Sequence, residues 1–245
     1  MSVVDYTLRG GTARITLNRP DKLNAFNDAL VGGLSDALDR AITDGARLAV
    51  FSANGKGFSG GFDLGDIAEA SDGDLLMRFV RVEELLQAVF HAPIATVSLV
   101  HGPCYGAAAD LAAACQWRIA APDARFRMPG PRFGIILGTR RLTNMVGADN
   151  ARQLLLRDKP FKADEALSTG FITEIADQSE WPRIVERIEA QVNALDADTH
   201  RRLSDRQRSN TRDADLAELV RSASAGSVKS RILGYLDQMA AARKG

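Results

Sequence analysis

The feature that most constrains this fold is the passage from an apolar run, Ile94 to Val100, into HGPCYGAAADL (His101 to Leu111) and an Ala-rich run ending at Cys115. A β-leaning apolar segment, a glycine turn and then small unbranched residues spell strand, tight turn and helix N-terminus. Small side chains at Gly106, Ala107, Ala108 and Ala109 would let a ligand approach first-turn N–H groups, which lack intrahelical partners and carry the positive end of the helix dipole. That is a place for a developing negative charge, and Asp110 sits in the same turn. The same residues have a packing reading: small side chains permit close helix contact, and an acid in the first turn complements the dipole. A second stretch decides between the two.

Before this passage, Val3 to Leu8 and Ala13 to Leu17 read as strands joined at Gly10-Gly11, a hairpin signal. Asn27 is placed to cap a helix carrying Leu30, Leu34, Leu38 and Ile42 on one face. Leu48 to Phe51 is a short buried strand, and Leu75 to His91 is helical by periodicity, closed by Pro93. Beyond Cys115, Trp117 to Ala120 and Ala124 to Arg127 are β-leaning. The rest reads as helices: a run through Leu156, Asp164 to Thr169, Trp181 to Leu195, and a C-terminal pair ending in Ile232, Leu236 and Met239. Strand, turn and helix recur three times in the first half, which gives an α/β core with helices appended.

Charge narrows the functions. Lys and Arg total 31, as do Asp and Glu, so no basic field invites nucleic acid and no cationic face invites a membrane. Cys104 and Cys115 lie in apolar surroundings and read as reduced packing residues of a cytosolic protein. The opening MSVVDYTLRG lacks a basic segment followed by an apolar core, and no apolar run is long enough to span a bilayer, so a cytoplasmic protein is expected. The three histidines have no metal-ligand spacing, and no metal is expected.

The second stretch is SANGKGFSGGFDLGD. Gly55, Gly57 and Gly60 match G-x-G-x-x-G after a strand, but the acid expected about twenty residues on falls at Asp72 and Asp74, where the chain enters a helix. The dinucleotide reading therefore lacks its context. The alternative is that FSGGFDL (Phe58 to Leu64) presents backbone amides across a cleft from Gly106 and Ala107, with Gly60 and Gly61 keeping the approach clear.

At this point the chain resembles the crotonase (enoyl-CoA hydratase/isomerase) superfamily along essentially its whole length. NRPDKLNAF (Asn18 to Phe26) is similar to the family's N-R-P-x-x-x-N-A, GKGFSGGFDL to its G-x-x-F-x-A-G-A-D-L, HGPCYGAAADL to N-G-x-x-x-G-G-G-x-E-L, and ADEALSTGFITEI to A-x-E-A-x-x-x-G-L-V. The resemblance implies a spiral of ββα units over residues 1–190. A C-terminal helical region, 191–245, would serve a trimer or a dimer of trimers. It also implies an acyl-CoA thioester as partner, with no cofactor beyond the CoA the substrate carries. The thioester oxygen would be held by the N–H groups of Phe62 and Ala107. Two such donors suit an enolate, at roughly 3–4 kcal/mol per donor. Lys22, Leu23, Ala25, Gly60, Leu64 and Gly106 would line the substrate channel.

The departures matter as much. Hydratases of the family grip water between two glutamates; here the first position is Asp110 and the second falls on Gly130. Gly65 stands where a CoA-contacting lysine is common. Among other groups, His91 reads as a helix-end residue favoured by the dipole, Glu83 and Glu84 as solvated or with one of them facing the site, and Arg127 and Arg132 as surface cover or a binding pair for an acidic acyl group. His101 and Cys104 have no acid placed to orient them as a nucleophilic pair. The expected activity is a lyase or isomerase step with Asp110 as the single acid/base; the alternative is a non-catalytic acyl-CoA-binding protein that has lost the paired glutamates.

Overall fold

A computed structural model describes residues 2–157 and 159–242; Met1 and the last three residues of the C-terminal region lie outside the described residues. Strands β1 (Val4–Arg9) and β2 (Thr12–Leu17) form the expected antiparallel hairpin, turning on Gly10 and Gly11 at positive φ. A 3-10 turn at Pro20–Lys22 leads to α1 (Asp28–Thr43), whose cap Asn27 accepts the Leu30 N–H at 3.0 Å, and then β3 (Leu48–Ala53). Helix α2 (Asp72–Phe90) starts on a Ser71/Asp74 capping box. Next come β4 (Ala95–Val100), β5 (Pro103–Tyr105), α3 (Ala107–Ala114), β6 (Trp117–Ala120) and β7 (Arg125–Arg127). A 3-10 turn at Gly130–Phe133 precedes α4 (Thr139–Val146), α5 (Ala148–Leu156), β8 (Phe161–Lys162), α6 (Ala163–Ser168) and β9 (Glu174–Ile175). The chain ends in α7 (Trp181–Asn193), α8 (Ala197–Gln207), α9 (Arg212–Ser224) and α10 (Val228–Ala242).

Two sheets carry this order. The larger runs β1-β2-β3-β4-β6-β9, parallel after the first hairpin; the smaller is β5-β7-β8, with Ser59 bridged to Cys104 at its edge. Successive turns thus place one strand in the large sheet, a short extended segment in the small one, and then a helix, which is a spiral of ββα units of α/β class. The alternation of β3 shows how the sheet is sealed. Ala49 and Phe51 face the cluster that holds α1 and α3, while Leu48 and Val50 face Ile184, Val185, Ile188 and Val192 of α7. Both faces are covered, so these strands read as continuous apolar runs.

Helices α9 and α10 fold back on the core. Leu219, Ala223, Val228 and Ile232 share a cluster with Leu75 and Phe79 of α2 and with Phe133 and Ile135. Among the described residues no helix is long and apolar enough to cross a membrane.

Several elements differ from the sequence reading. Pro103–Tyr105 is a strand, because the turn expected there continues into pairing with β7. The run through Leu156 is two helices, broken at Gly147 with φ 79°. The C-terminal pair is three helices after α7, and the two-residue strands β8 and β9 are too short for a period to register. Position 91 caps α2, but burial, Arg212 and Arg208 push the His91 pKa down to about 4, so no charge is available there to favour the dipole at neutral pH.

Candidate active site

The loop 58–64 is held from below by the NRPDKLNAF segment. Asn24 lies at φ 48°; its Oδ1 accepts the Arg19 N–H at 2.7 Å and its Nδ2 donates to the carbonyls of Asn54 and Phe58 at 2.9 and 3.1 Å. Arg19 in turn forms a 2.5 Å ion pair with Asp63. This scaffold uses the loop's amides one after another. The Gly60 N–H donates to Leu23 O at 2.8 Å, that of Gly61 to Ser59 Oγ at 3.0 Å, and that of Asp63 to Phe26 O at 3.1 Å. Among the described residues the Phe62 N–H has no partner.

Opposite, the Gly106 N–H donates to Arg127 O at 2.7 Å and that of Asp110 to Gly106 O at 3.0 Å, while Ala107, first residue of α3, leaves its N–H free among the described residues. The two loops touch at Gly61, where φ is 86° and an added Cβ would stand 3.0 Å from the Tyr105 carbonyl carbon and overlap its oxygen. Only glycine fits that contact. Phe62 and Ala107, each with an unused amide, both line one space.

That space is a cavity of about 280 Å³. Phe62, Leu64 and Phe79 form one wall, with the two aromatic rings stacked 4.2 Å apart. Gly60, Tyr105, Gly106, Ala107 and Asp110 also line the cavity, as do Arg127 to Pro131 with Phe133, Ile135, Leu137 and Leu155, and Tyr235, Leu236 and Met239 of α10. Of the residues singled out in the sequence, Phe62, Ala107, Asp110, Gly60, Leu64 and Gly106 come together here. Lys22, Leu23 and Ala25 are not among the lining residues; they belong to the segment beneath the loop, touching it through Leu23.

Asp110 is 7% exposed and its carboxyl has no hydrogen-bond partner among the described residues. Burial raises its pKa to about 8, against the pull of Arg141 and with a further push from Glu83. Behind it lies a pair the sequence reading missed. Glu83, read as solvated or, in the alternative, as one of two glutamates that could face the site, is 1% exposed and accepts two bonds from Arg141 at 2.7 and 2.6 Å. A signal existed: Glu83 lies four residues beyond Phe79 and three before Leu86, inside the buried stripe of α2.

Position 130 faces the same cavity without a side chain, and an added Cβ would stand 3.1 Å from Ile135 O. Arg132 is exposed, but Arg127, expected mainly as surface cover, lines the cavity. Cys104 and Cys115 are buried free thiols; burial pushes the first well up and the second to about 12, which disfavours the thiolate at both. Among the described residues no cluster of three or more His, Cys, Asp or Glu is placed to hold a metal.

A family model described as enoyl-CoA hydratase/isomerase matches residues 7–242. Over 192 residues the chain is 36% identical to the Mycobacterium bovis protein named "Probable enoyl-CoA hydratase echA6", covering 76% of this chain and 77% of that one. It is 31% identical over 191 residues to a trans-2-decenoyl-[acyl-carrier-protein] isomerase of Streptococcus mutans, covering 75% and 73%. A crystal structure from Bordetella parapertussis, described as an enoyl-CoA hydratase/isomerase, superposes with a TM-score of 0.94 at 43% identity, covering 96% of this chain and 99% of the other.

Proposed function

The chain belongs to the enoyl-CoA hydratase/isomerase family, the crotonases, and on that footing we propose that it moves a proton on an acyl-CoA thioester. The thioester oxygen lies between the Phe62 and Ala107 N–H groups, and Asp110 is the acid/base. The observation that supports this reading is the Asp110 carboxyl, buried and unpartnered among the described residues, on a residue that lines the same cavity as Phe62 and Ala107.

The chemistry follows from charge. Removing a proton beside a thioester carbonyl, or adding to its conjugated double bond, puts negative charge on the carbonyl oxygen, and two fixed N–H donors stabilise it without reorganising. A carboxyl with a pKa near 8 is mostly protonated at pH 7, ready to protonate an enolate, and its ionised fraction takes a proton from the α-carbon. One group can take a proton at one carbon and return it at another, as an isomerase or lyase step requires. Gly130 offers no second carboxyl to hold a water. Gly60, Leu64 and Gly106 would flank the thioester arm, and Lys22, Leu23 and Ala25 the outer part of CoA. A protein that only bound acyl-CoA would carry the destabilising Asp110 without using it.

The test is exchange of the α-proton of butyryl-CoA into deuterated water. Asp110→Asn is expected to lower it by roughly 10²–10⁴ while binding persists; equal exchange by both proteins returns the binding-only alternative. The assembly belonging to this reading is a trimer or a dimer of trimers, and a monomer by light scattering at micromolar concentration removes it.

A further inference from the structure

The buried Arg141 and the half-buried Arg118 and Arg231 donate to oxygen, and the half-buried Arg127 differs from them. Arg141 is paired with Glu83, Arg118 donates to the carbonyls of Phe171, Cys115 and Gln116 at 2.8 to 3.0 Å, and Arg231 to those of Phe133, Gly134, Ser222 and Ala223. Arg127 lines the cavity and has no such partner for its guanidinium. Its Nη2 meets the Met239 sulfur at 3.4 Å, its guanidinium carbon stands 5.9 Å from the Tyr235 ring centroid, and its Nε is buried without a hydrogen bond; Arg231 Nε and Arg208 Nη2 are also unbonded, but their guanidiniums donate to carbonyl oxygens through other nitrogens. A thioether and a distant ring compensate a guanidinium weakly. Unlike lysine, arginine cannot shed its charge when buried.

The backbone fixes where this side chain starts. Tyr105 and Arg127 are partners in the β5–β7 register, and Arg127 O accepts the Gly106 N–H, so the arginine is anchored beside the residue preceding Ala107. The charges acting on Asp110 are those of Arg141 and Glu83; Arg127 is a separate cation, free to bind an anion of the ligand.

We propose that the Arg127 guanidinium receives a carboxylate carried by the acyl group, so that the substrates are thioesters of dicarboxylic acids. This rests on the acyl-thioester reading above. An anionic oxygen here has two sources, the acyl group and a CoA phosphate. The tether to Gly106, next to the inferred thioester donor, and the buried Nε favour the acyl group. A planar guanidinium fork matches a carboxylate in two parallel bonds.

Calorimetry with glutaryl-CoA, pentanoyl-CoA and free CoA tests this. Wild type is expected to bind glutaryl-CoA at least about tenfold more tightly than pentanoyl-CoA. In Arg127→Met that ratio falls toward one, and Arg127→Lys, which keeps the charge without the fork, retains part of it. A wild-type ratio at or below one overturns the proposal whether or not the variants fold, as does a full ratio in Arg127→Met. Loss of free CoA binding in Arg127→Met equal to the loss for glutaryl-CoA assigns the guanidinium to phosphate instead. Pentanoyl-CoA binding without preference removes this inference alone. Failure of all three ligands to bind wild type removes the acyl-CoA reading, and this inference with it.

Discussion

Gly138 lies directly against the Asp110 carboxyl: a Cβ added at 138 would stand 3.0 Å from Asp110 Cγ and overlap Oδ1. Gly138 caps α4 at φ 64°, so the backbone of one helix end forms the back wall of the acid's niche. Gly138→Ala is expected to lose about 1 kcal/mol from the left-handed conformation alone. It should also displace the carboxyl, lowering α-proton exchange by roughly 10²-fold, the scale set by an ångström of misplacement. Exchange kinetics beside urea denaturation separate the two effects; unchanged exchange would show that Asp110 does not depend on this contact.

The raised pKa of Asp110 has a stability consequence of definite sign. Between an unfolded value of about 3.9 and a folded value of about 8, the native state holds a proton the unfolded chain has released. Stability therefore falls as pH rises through that window, by up to about 1.4 kcal/mol per unit from this group. Asp110→Asn removes the penalty. The variant should exceed wild type by a few kcal/mol at pH 8, with the gap closing toward pH 4. Urea midpoints at fixed protein concentration measure it, and parallel pH profiles would contradict the assigned burial of the charge.

How far the sequence could see depended on whether a residue acts through a local pattern. The strand-turn-helix at Ile94 to Leu111 and the loop FSGGFDL announce themselves by glycine placement, and four motifs in order identify the family. Phe62, Ala107 and Asp110 do reach one cavity. The NRPDKLNAF segment reads by resemblance as channel lining, and the geometry gives it a second role, in which Asn24 and Arg19 tie down the loop so that the Phe62 amide alone is left over among 60–63. Single charged residues leave no periodic trace. Arg141 meets Glu83 across a sequence separation of 58, and Arg127 is recognisable as a cavity residue only once Tyr235 and Met239 of α10 arrive beside it.

Gly130 predicts poor hydration. Water added across a double bond must be held and deprotonated while the α-carbon is protonated, and on the reading proposed above Gly130 stands where the second carboxyl would be. Hydration of crotonyl-CoA should be slower by roughly 10²–10⁴ than in a family member with both glutamates. Gly130→Glu alone should not restore it fully, because the new Cβ crowds Ile135 O at 3.1 Å. Fast wild-type turnover in a spectrophotometric hydration assay would show that another residue holds the water.

The two members of the Glu83–Arg141 pair act on the Asp110 carboxyl with opposite sign. Arg141 draws the Asp110 pKa down and Glu83 pushes it up, with burial outweighing both. Because α-proton abstraction needs the ionised form, wild-type exchange should rise with pH and level off above about 8. Glu83→Gln removes the upward push and should move the inflection to lower pH, whereas Arg141→Met should move it higher. Each change also breaks a buried ion pair, at a cost of roughly 3–5 kcal/mol, so both profiles must be taken where the variants remain folded by circular dichroism. A purely structural pair would lower the rate at every pH and leave the inflection in place. Displacement of the inflection in opposite directions by the two variants is the result that assigns them to positioning and tuning Asp110.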